Sequence, residues 1–300
     1  MKNQIRKHED RKSSGPGVLY VVSTPIGNLE DITLRALKIL KNVDMIAAEN
    51  VSHTRRLCDH YGIRTRVTRY NQHNQKAKAS ELIRQLKEGS QVAQVTDAGV
   101  PGISDPGGYL VGLASAESIA ITPVPGPSAV TGALSISGFP AEQFLFAGFL
   151  PPKKGKRRKA LQELSEDYRT MVFFEAPHRL KAMLGDLLDL LGNRQMVIVR
   201  EMTKLYEEIL RGSLAEILVN LPKDKIKGEL TLVVQGKQES RKVTEIPEGL
   251  LDRIDDLIKK DGMSIRDIAE IISSEERLSY RFVYKACLSR KTVHQRPEVG

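Results

Sequence analysis

The sequence predicts an α/β protein built on a mostly parallel sheet, and three observations carry that prediction. Strand-like runs alternate with longer helix-like runs from residue 18 onward, an order that gives parallel strands covered by helices on both faces. Two glycine–proline loops, Asp97-Ala98-Gly99-Val100-Pro101-Gly102-Ile103-Ser104-Asp105-Pro106-Gly107 and Pro123-Val124-Pro125-Gly126-Pro127-Ser128-Ala129, each follow a strand-like run and lead into a helix-like one. The length of 300 residues allows about two cores.

The elements follow in order. Residues 1–16 read as a disordered basic arm ending in Ser-Ser-Gly-Pro. A strand at 18–23 meets the turn Thr24-Pro25-Ile26-Gly27-Asn28. A helix then starts near Asp31 as its N-cap and carries Leu34, Leu37 and Leu40 at helical spacing. Next come strand 43–48, helix 52–61, strand 66–70, and helix 76–87 closed by Gly89. The two loop units follow, and a strand at 144–150 is expected to end the first domain. Pro151-Pro152 and a basic loop lead into a second α/β unit, with strands at 170–175, 196–201 and 230–235 and helices at 178–191 and 214–221. A charged linker separates this unit from three short helices, at 248–260, from Ser264 and at 277–291. Ser264 with Asp267 reads as a capping box. The expected organisation is an arm (1–16), an N-terminal α/β domain (17–150), a second α/β domain (151–236) and a C-terminal helical domain (246–300).

Loops at the carboxyl ends of strands are where α/β sheets hold ligands. Glycine lets a ligand approach the backbone, and proline fixes φ. The chain has no GxxxxGK[ST] or GxGxxG run, and neither loop carries Lys or Arg, so a nucleotide phosphate is a poor ligand for them. Carbonyls, amides and one or two Asp suit S-adenosylmethionine, with its adenine, ribose and cationic sulfonium. Tight surface turns are the bland alternative.

Charge is concentrated. The net charge of +9 is matched by the excess in residues 1–14 together with the run Lys153-Lys154-Gly155-Lys156-Arg157-Arg158-Lys159. That pattern points to an anionic macromolecular partner or to solvated segments. The last helix adds Arg281 and Lys285 beside Tyr280 and Tyr284, a set that suits either nucleic-acid phosphates or a plain helical cap. Two cysteines, Cys58 and Cys287, give no disulfide framework and no Cys-rich metal site, as in a reducing cytoplasm. Residues 118–141 carry no charge, yet their prolines and glycines break any spanning helix, so buried core is expected there and no membrane.

The motifs Thr24-Pro25-Ile26-Gly27-Asn28-Leu29-Glu30-Asp31, Asp97 to Gly107, Pro125-Gly126-Pro127-Ser128-Ala129, Gly148-Phe149-Leu150-Pro151, Pro177-His178-Arg179-Leu180, Arg200-Glu201-Met202-Thr203-Lys204 and Lys227-Gly228-Glu229 resemble, in this order, those of the ribosomal small subunit methyltransferase I family. The resemblance covers residues 18 to about 235, and less tightly the C-terminal helices. It implies a tetrapyrrole methylase-like two-domain fold: a mostly parallel sheet domain, a second α/β domain with a mixed sheet, and a small helical domain. It implies a homodimeric cytoplasmic enzyme that uses S-adenosylmethionine to methylate the 2′-hydroxyl of a cytidine ribose in 16S rRNA of the small ribosomal subunit. Carried over by motif, the cofactor would touch Ile26, Gly99, Val100, Pro101, Ile103, Ser128 and Ala129 from the first domain, and Phe174, Leu205, Glu229 and Thr231 from the second. The run Lys153, Lys154, Lys156, Arg157 and Arg158, with Arg281 and Lys285, would meet RNA. Two departures stand out: Glu49-Asn50-Val51-Ser52-His53-Thr54 where the family reads Glu-Asp-Thr-Arg-His-Thr, and Phe174-Glu175-Ala176-Pro177-His178-Arg179 where it reads Tyr-Glu-Ser-Pro-His-Arg.

Methyl transfer from a sulfonium is an in-line displacement, so the acceptor oxygen must be held on the methyl axis. A ribose hydroxyl is a weak nucleophile, and a carboxylate, His or Lys near it helps with its proton. Glu49, Asp97 and Lys204 are the candidates, in that order; Asp97 reads equally as an anchor for the loop or the methionine amino group, Lys204 with Glu201 reads alternatively as a structural ion pair, and His53 as a surface residue. Asp105 is read either as a loop carboxylate or as a cap of the next helix. No His/Cys/carboxylate spacing argues for a metal. Two other readings remain open: C-methylation of a tetrapyrrole, since fold does not fix function, and a non-catalytic RNA-binding assembly factor.

Overall fold

The structure is a computed structural model that describes residues 17–105, 107–222, 226–238, 249–259, 263–276 and 280–294, without the side chains of 274, 281 and 291–294. The expected arm at 1–16 and the side chain of Arg281 lie outside the described residues. Two compact units divide near residue 237.

The first unit opens with a five-stranded parallel sheet: β1 (Val18–Val22), β2 (Met45–Ala48), β3 (Arg66–Arg69), β4 (Val92–Val95) and β5 (Ala120–Val124), in the order β3-β2-β4-β1-β5. The all-apolar or near-apolar runs of β2 and β4 are fully buried, as strands covered on both faces require. Helices α1 (Leu34–Asn42) and α2 (Val51–His60) cover one face, and α3 (Gln75–Lys87) and α4 (Gly108–Ala116) cover the other.

The second sheet is mixed. It contains β6 (Phe144–Phe149), β7 (Thr170–Glu175), β8 (Gln195–Arg200), β9 (Glu208–Ser213) and β10 (Leu230–Val234), in the order β6-β7-β10-β8-β9. Only β6 and β7 run parallel. Helices α6 (Lys154–Glu163), α7 (Leu180–Leu191) and α8 (Leu214–Asn220) pack one face, while α5 (Ala129–Ser137) packs the other through Val130, Ala133 and Leu134. The helix that follows the second glycine–proline loop thus seals the second sheet.

Four expectations are corrected. The strand at 144–150, expected in the first sheet's domain, is β6 of the second sheet, where Phe144 pairs with Thr170. The basic run is the start of α6 and not a loop. Asp31 caps nothing: Leu29–Asp31 is one 3-10 turn capped by Asn28, and α1 starts after Thr33, whose side chain accepts the Ala36 N–H. Residues 118–141 are only partly core, because β5 is an edge strand with Pro123 exposed, where a missing N–H is tolerated. Strand β9 escapes sequence reading because it is a polar edge strand with alternating exposure. Among the described residues, no helix is long and apolar enough to cross a membrane.

The second unit contains α9 (Leu250–Lys259), α10 (Ile265–Glu275) and α11 (Tyr280–His294) around a small core including Ile254, Ile268, Ile272 and Val283. The capping box of Ser264 and Asp267 forms as expected.

Candidate active site

Strands β4, β1 and β5 are neighbours, so the segments that leave their carboxyl ends meet. Thr24 and Gly99 exchange two backbone hydrogen bonds, of 2.9 and 3.0 Å. The Thr24 hydroxyl donates to the Thr96 carbonyl at 3.0 Å, and the Ser23 N–H donates to Val124 at 3.2 Å. Gly99 holds φ +76°, a left-handed conformation that a side chain strains. The three loops form one wall of a pocket of about 350 Å³.

The second sheet supplies the facing wall from the end of β7, the start of β10 and the 201–204 loop after β8. That loop is strained, with Glu201 at φ +51° and Thr203 at φ +65°, as sites held by their surroundings can be. It rests on the turn after β1. The Asn28 N–H donates to the Thr203 hydroxyl at 3.1 Å, and a Cβ at Gly27 would come within 2.4 Å of Lys204 Cγ. The Glu201 carboxylate accepts from Lys204 Nζ at 2.9 Å and from the Glu229 N–H at 2.8 Å, while Lys204 also reaches Glu229 Oε2 at 3.1 Å.

Of the residues expected to hold the cofactor, Ile26, Gly99, Val100 and Ile103 line this pocket from the first sheet, with Ser128 and Ala129 after them. Phe174, Glu229 and Thr231 line it from the second. Two do not: Pro101 is buried within the first loop and Leu205 is 89% exposed, and neither lines the pocket. Asp105, Phe149, Glu175 and Met202 also line it. All four stand in motifs read from the sequence: Phe149, Glu175 and Met202 in the family-like runs and Asp105 in the first loop.

Glu49, Thr96, Asp97 and Asp105 form one polar cluster. Glu49 Oε2 accepts from the Thr96 hydroxyl at 2.7 Å and from the Asp97 N–H at 3.4 Å, and Thr96 also lies beside Asp105. Burial pushes the Asp97 carboxyl up, and the Glu49 charge adds to that. Burial likewise raises Asp105. Only Asp105 of the four reaches the pocket surface; it does not cap α4, whose N-cap is Gly107. Glu175 is buried, paired with Arg179 at 3.0 Å, and its Oε2 has no partner. Lys204 braces the wall: burial pushes its ammonium down, yet hydrogen bonds to Glu201 and Glu229 hold it above the ordinary value. A lysine so paired stays charged and accepts no proton.

The residues expected to meet RNA divide. Lys153, Lys154 and Lys156 are exposed at the start of α6. Arg157 is buried and bonds Asp186 through Nη2 at 2.6 Å and Nε at 2.7 Å. Arg158 bonds Asp186 and Asp189 at 2.9 and 3.0 Å. These two arginines pin α6 to α7, which corrects the expectation that the whole run is free for phosphate. Lys285 is exposed on α11, where Tyr280 and Tyr284 stack on each other at 5.7 Å. Among the described residues, no Lys or Arg lines the pocket and no His/Cys/carboxylate group is arranged to hold a metal.

Comparisons with known proteins agree with this architecture. The family model described as Tetrapyrrole (Corrin/Porphyrin) Methylases matches residues 18–218. Ribosomal RNA small subunit methyltransferase I of Halalkalibacterium halodurans is 48% identical over 230 residues, 77% of this chain and 80% of that protein. The Thermotoga maritima protein of the same name is 48% identical over 74% of this chain and 100% of its own length; that of Synechocystis is 39% identical over 91% and 98%. Uroporphyrin-III-C-methyltransferase from Thermus thermophilus shares the fold at TM-score 0.53 and 22% identity, over 72% of this chain and 94% of that one. A structure of that enzyme complexed with S-adenyl homocysteine has TM-score 0.53 and 19% identity, over 72% and 97%. On these matches the chain belongs to the tetrapyrrole methylase family and, within it, to the ribosomal RNA small subunit methyltransferase I family.

Proposed function

We propose that this protein transfers a methyl group from S-adenosylmethionine to the 2′-hydroxyl of a cytidine ribose in 16S rRNA of the small ribosomal subunit. The observation that carries the reading is the meeting of nine motif residues from both sheets at one pocket, in a chain whose relatives carry the rRNA methyltransferase name. The likeness to uroporphyrin methyltransferases, at 22% identity or less, speaks for the fold alone.

The pocket fits the cofactor. Ile26, Val100, Ala129 and Met202 offer an apolar bed, while Asp105, Glu175 and Glu229 offer carboxylates, two of which also pair with cations outside the lining, Arg179 and Lys204. The orphaned Glu175 Oε2 is an acceptor suited to a hydroxyl or ammonium. When bound, the sulfonium supplies an electrophilic methyl. The chain's residues do the rest. The first-sheet loops orient the donor through main chain, and the 201–204 loop excludes water from the other side. Asp105 faces the acceptor and takes its proton; Thr96 links it to Glu49, and Asp97 shares that charge. Lys204 positions Glu229. The exposed lysines of α6, with Arg281 and Lys285 of the C-terminal unit, are proposed to hold rRNA phosphates, and the enzyme is proposed to act in the cytoplasm as a homodimer.

The test is transfer of tritium from labelled S-adenosylmethionine to undermethylated small subunits, with the product mapped by mass spectrometry. A 2′-O-methylcytidine in 16S rRNA is expected. Label in a base, or none in rRNA, overturns the reading.

A further inference from the structure

We propose that Phe149 is the platform on which the base of the target nucleotide stacks, an assignment that rests on the rRNA reading above. Two rings lie on the pocket wall: Phe174, half-buried, and Phe149, whose side chain is 56% exposed. This exposure is built in. The β6–β7 register shifts between Phe146 and Gly148, and Gly148 holds φ +59°. A bulge of this kind re-aims the next side chain, and here that side chain is Phe149, which lines the pocket.

The platform is braced from behind. Phe149 meets Phe174 at 5.6 Å and 58°, and Phe174 meets Phe146 at 5.0 Å and 68°. From the side, Ser104, itself at φ +66°, lies 3.3 Å from where a Gly148 Cβ would stand. Ile103, 44% exposed, precedes it on the same rim. A fixed aromatic face left open to solvent is what a second ring covers.

The reaction says which ring. A ribose hydroxyl must lie in line with the methyl, so the acceptor nucleotide enters the pocket that holds the donor. Its base has to leave the RNA stack, and enzymes that extrude a nucleotide offset the lost stacking with an aromatic or apolar surface. The loops of the first sheet and Met202 already furnish apolar surface for the cofactor's adenine, which leaves Phe149 for the incoming base.

The chain contains no tryptophan, so Phe149→Trp introduces a single tryptophan at the platform, which can be excited selectively over the tyrosines. A short single-stranded cytidine oligoribonucleotide is expected to quench it in the presence of S-adenosylhomocysteine, and S-adenosylhomocysteine alone is expected to leave it unchanged. In parallel, Phe149→Ala is expected to lower kcat/KM for small subunits by about ten- to a hundredfold while the calorimetric Kd for S-adenosylhomocysteine stays within about twofold. Quenching by S-adenosylhomocysteine alone, or a Kd that weakens in step with kcat/KM, would assign the ring to adenine and overturn the proposal. So would no quenching by the oligonucleotide. If the wild type methylates no subunits, the rRNA reading fails by itself and the fluorescence still decides what Phe149 binds.

Discussion

The two sheets build their halves of the pocket by different means. The first sheet uses main chain: three loops from adjacent parallel strands are tied by backbone hydrogen bonds such as Thr24 to Gly99. The second uses charged side chains: Glu201 holds Lys204 and the Glu229 N–H, and Asp186 holds Arg157 and Arg158 behind the sheet. Backbone geometry is set by local residues and resists small changes. A paired charge is only as good as its partner, since burying one alone is costly. The first half should therefore fail gradually under substitution and the second abruptly.

The largest effect is expected at Asp186. Asp186→Ala leaves Arg157 buried without its partner and should cost about 3 to 5 kcal/mol of stability, read by denaturant unfolding. Burial raises the Asp186 carboxyl, but hydrogen bonds from Arg158 and Arg157 hold it net below its ordinary value. Its contribution is therefore present above the unfolded carboxylate pKa and lost as pH falls through the depressed folded value. A loss under about 1 kcal/mol would erase the contrast between the halves.

Glu201→Gln comes next. Without the charge, the brace on Lys204 and Glu229 weakens, and the Kd for S-adenosylhomocysteine should rise about tenfold by calorimetry, with little change in the unfolding midpoint. An unchanged Kd would mean that the second wall stands without its charges.

Gly99→Ala probes the first wall. Its Cβ meets only ordinary contacts, the nearest Ile26 Cγ2 at 3.5 Å, so the cost is the left-handed backbone, about 1 to 2 kcal/mol of stability. A collapse of the fold would show that this loop depends on more than its own geometry.

Asp97→Asn sharpens the comparison from inside the carboxylate cluster. Burial and the Glu49 charge hold the folded Asp97 pKa above its unfolded value. The ionised form therefore costs stability once pH exceeds the unfolded value. The Asn variant should gain on the wild type between acid and neutral pH, measured as the difference in denaturant midpoint. A difference independent of pH would deny the raised pKa.

The smallest effects belong to exposed lysines. Lys154→Ala and Lys156→Ala should each lower the salt slope of subunit binding by about one and leave stability unchanged. If neither slope moves, α6 does not meet phosphate.

What could be read in advance follows the same division. The parallel strands, both glycine–proline loops and the Ser264 capping box are local signals, and each appears where its residues stand. Strand β6 could not be assigned to its sheet, because Phe144 to Phe149 is an apolar strand whichever neighbour it takes. Arg157 could not be told from Lys156, because only the approach of Asp186 from α7 turns one cation of a basic run into a buried pair. Lys204 could be read either as a proton-handling group or as the ion-pair partner of Glu201, but not as the partner of Glu229, which joins them only because β10 lies beside β8. By itself the sequence determined the parallel strands and the glycine–proline loops, which depend on φ and the order of nearby residues. The tertiary structure alone decided which sheet each strand joined, which charges were paired and which ring faced the pocket, because those depend on residues far apart in the chain.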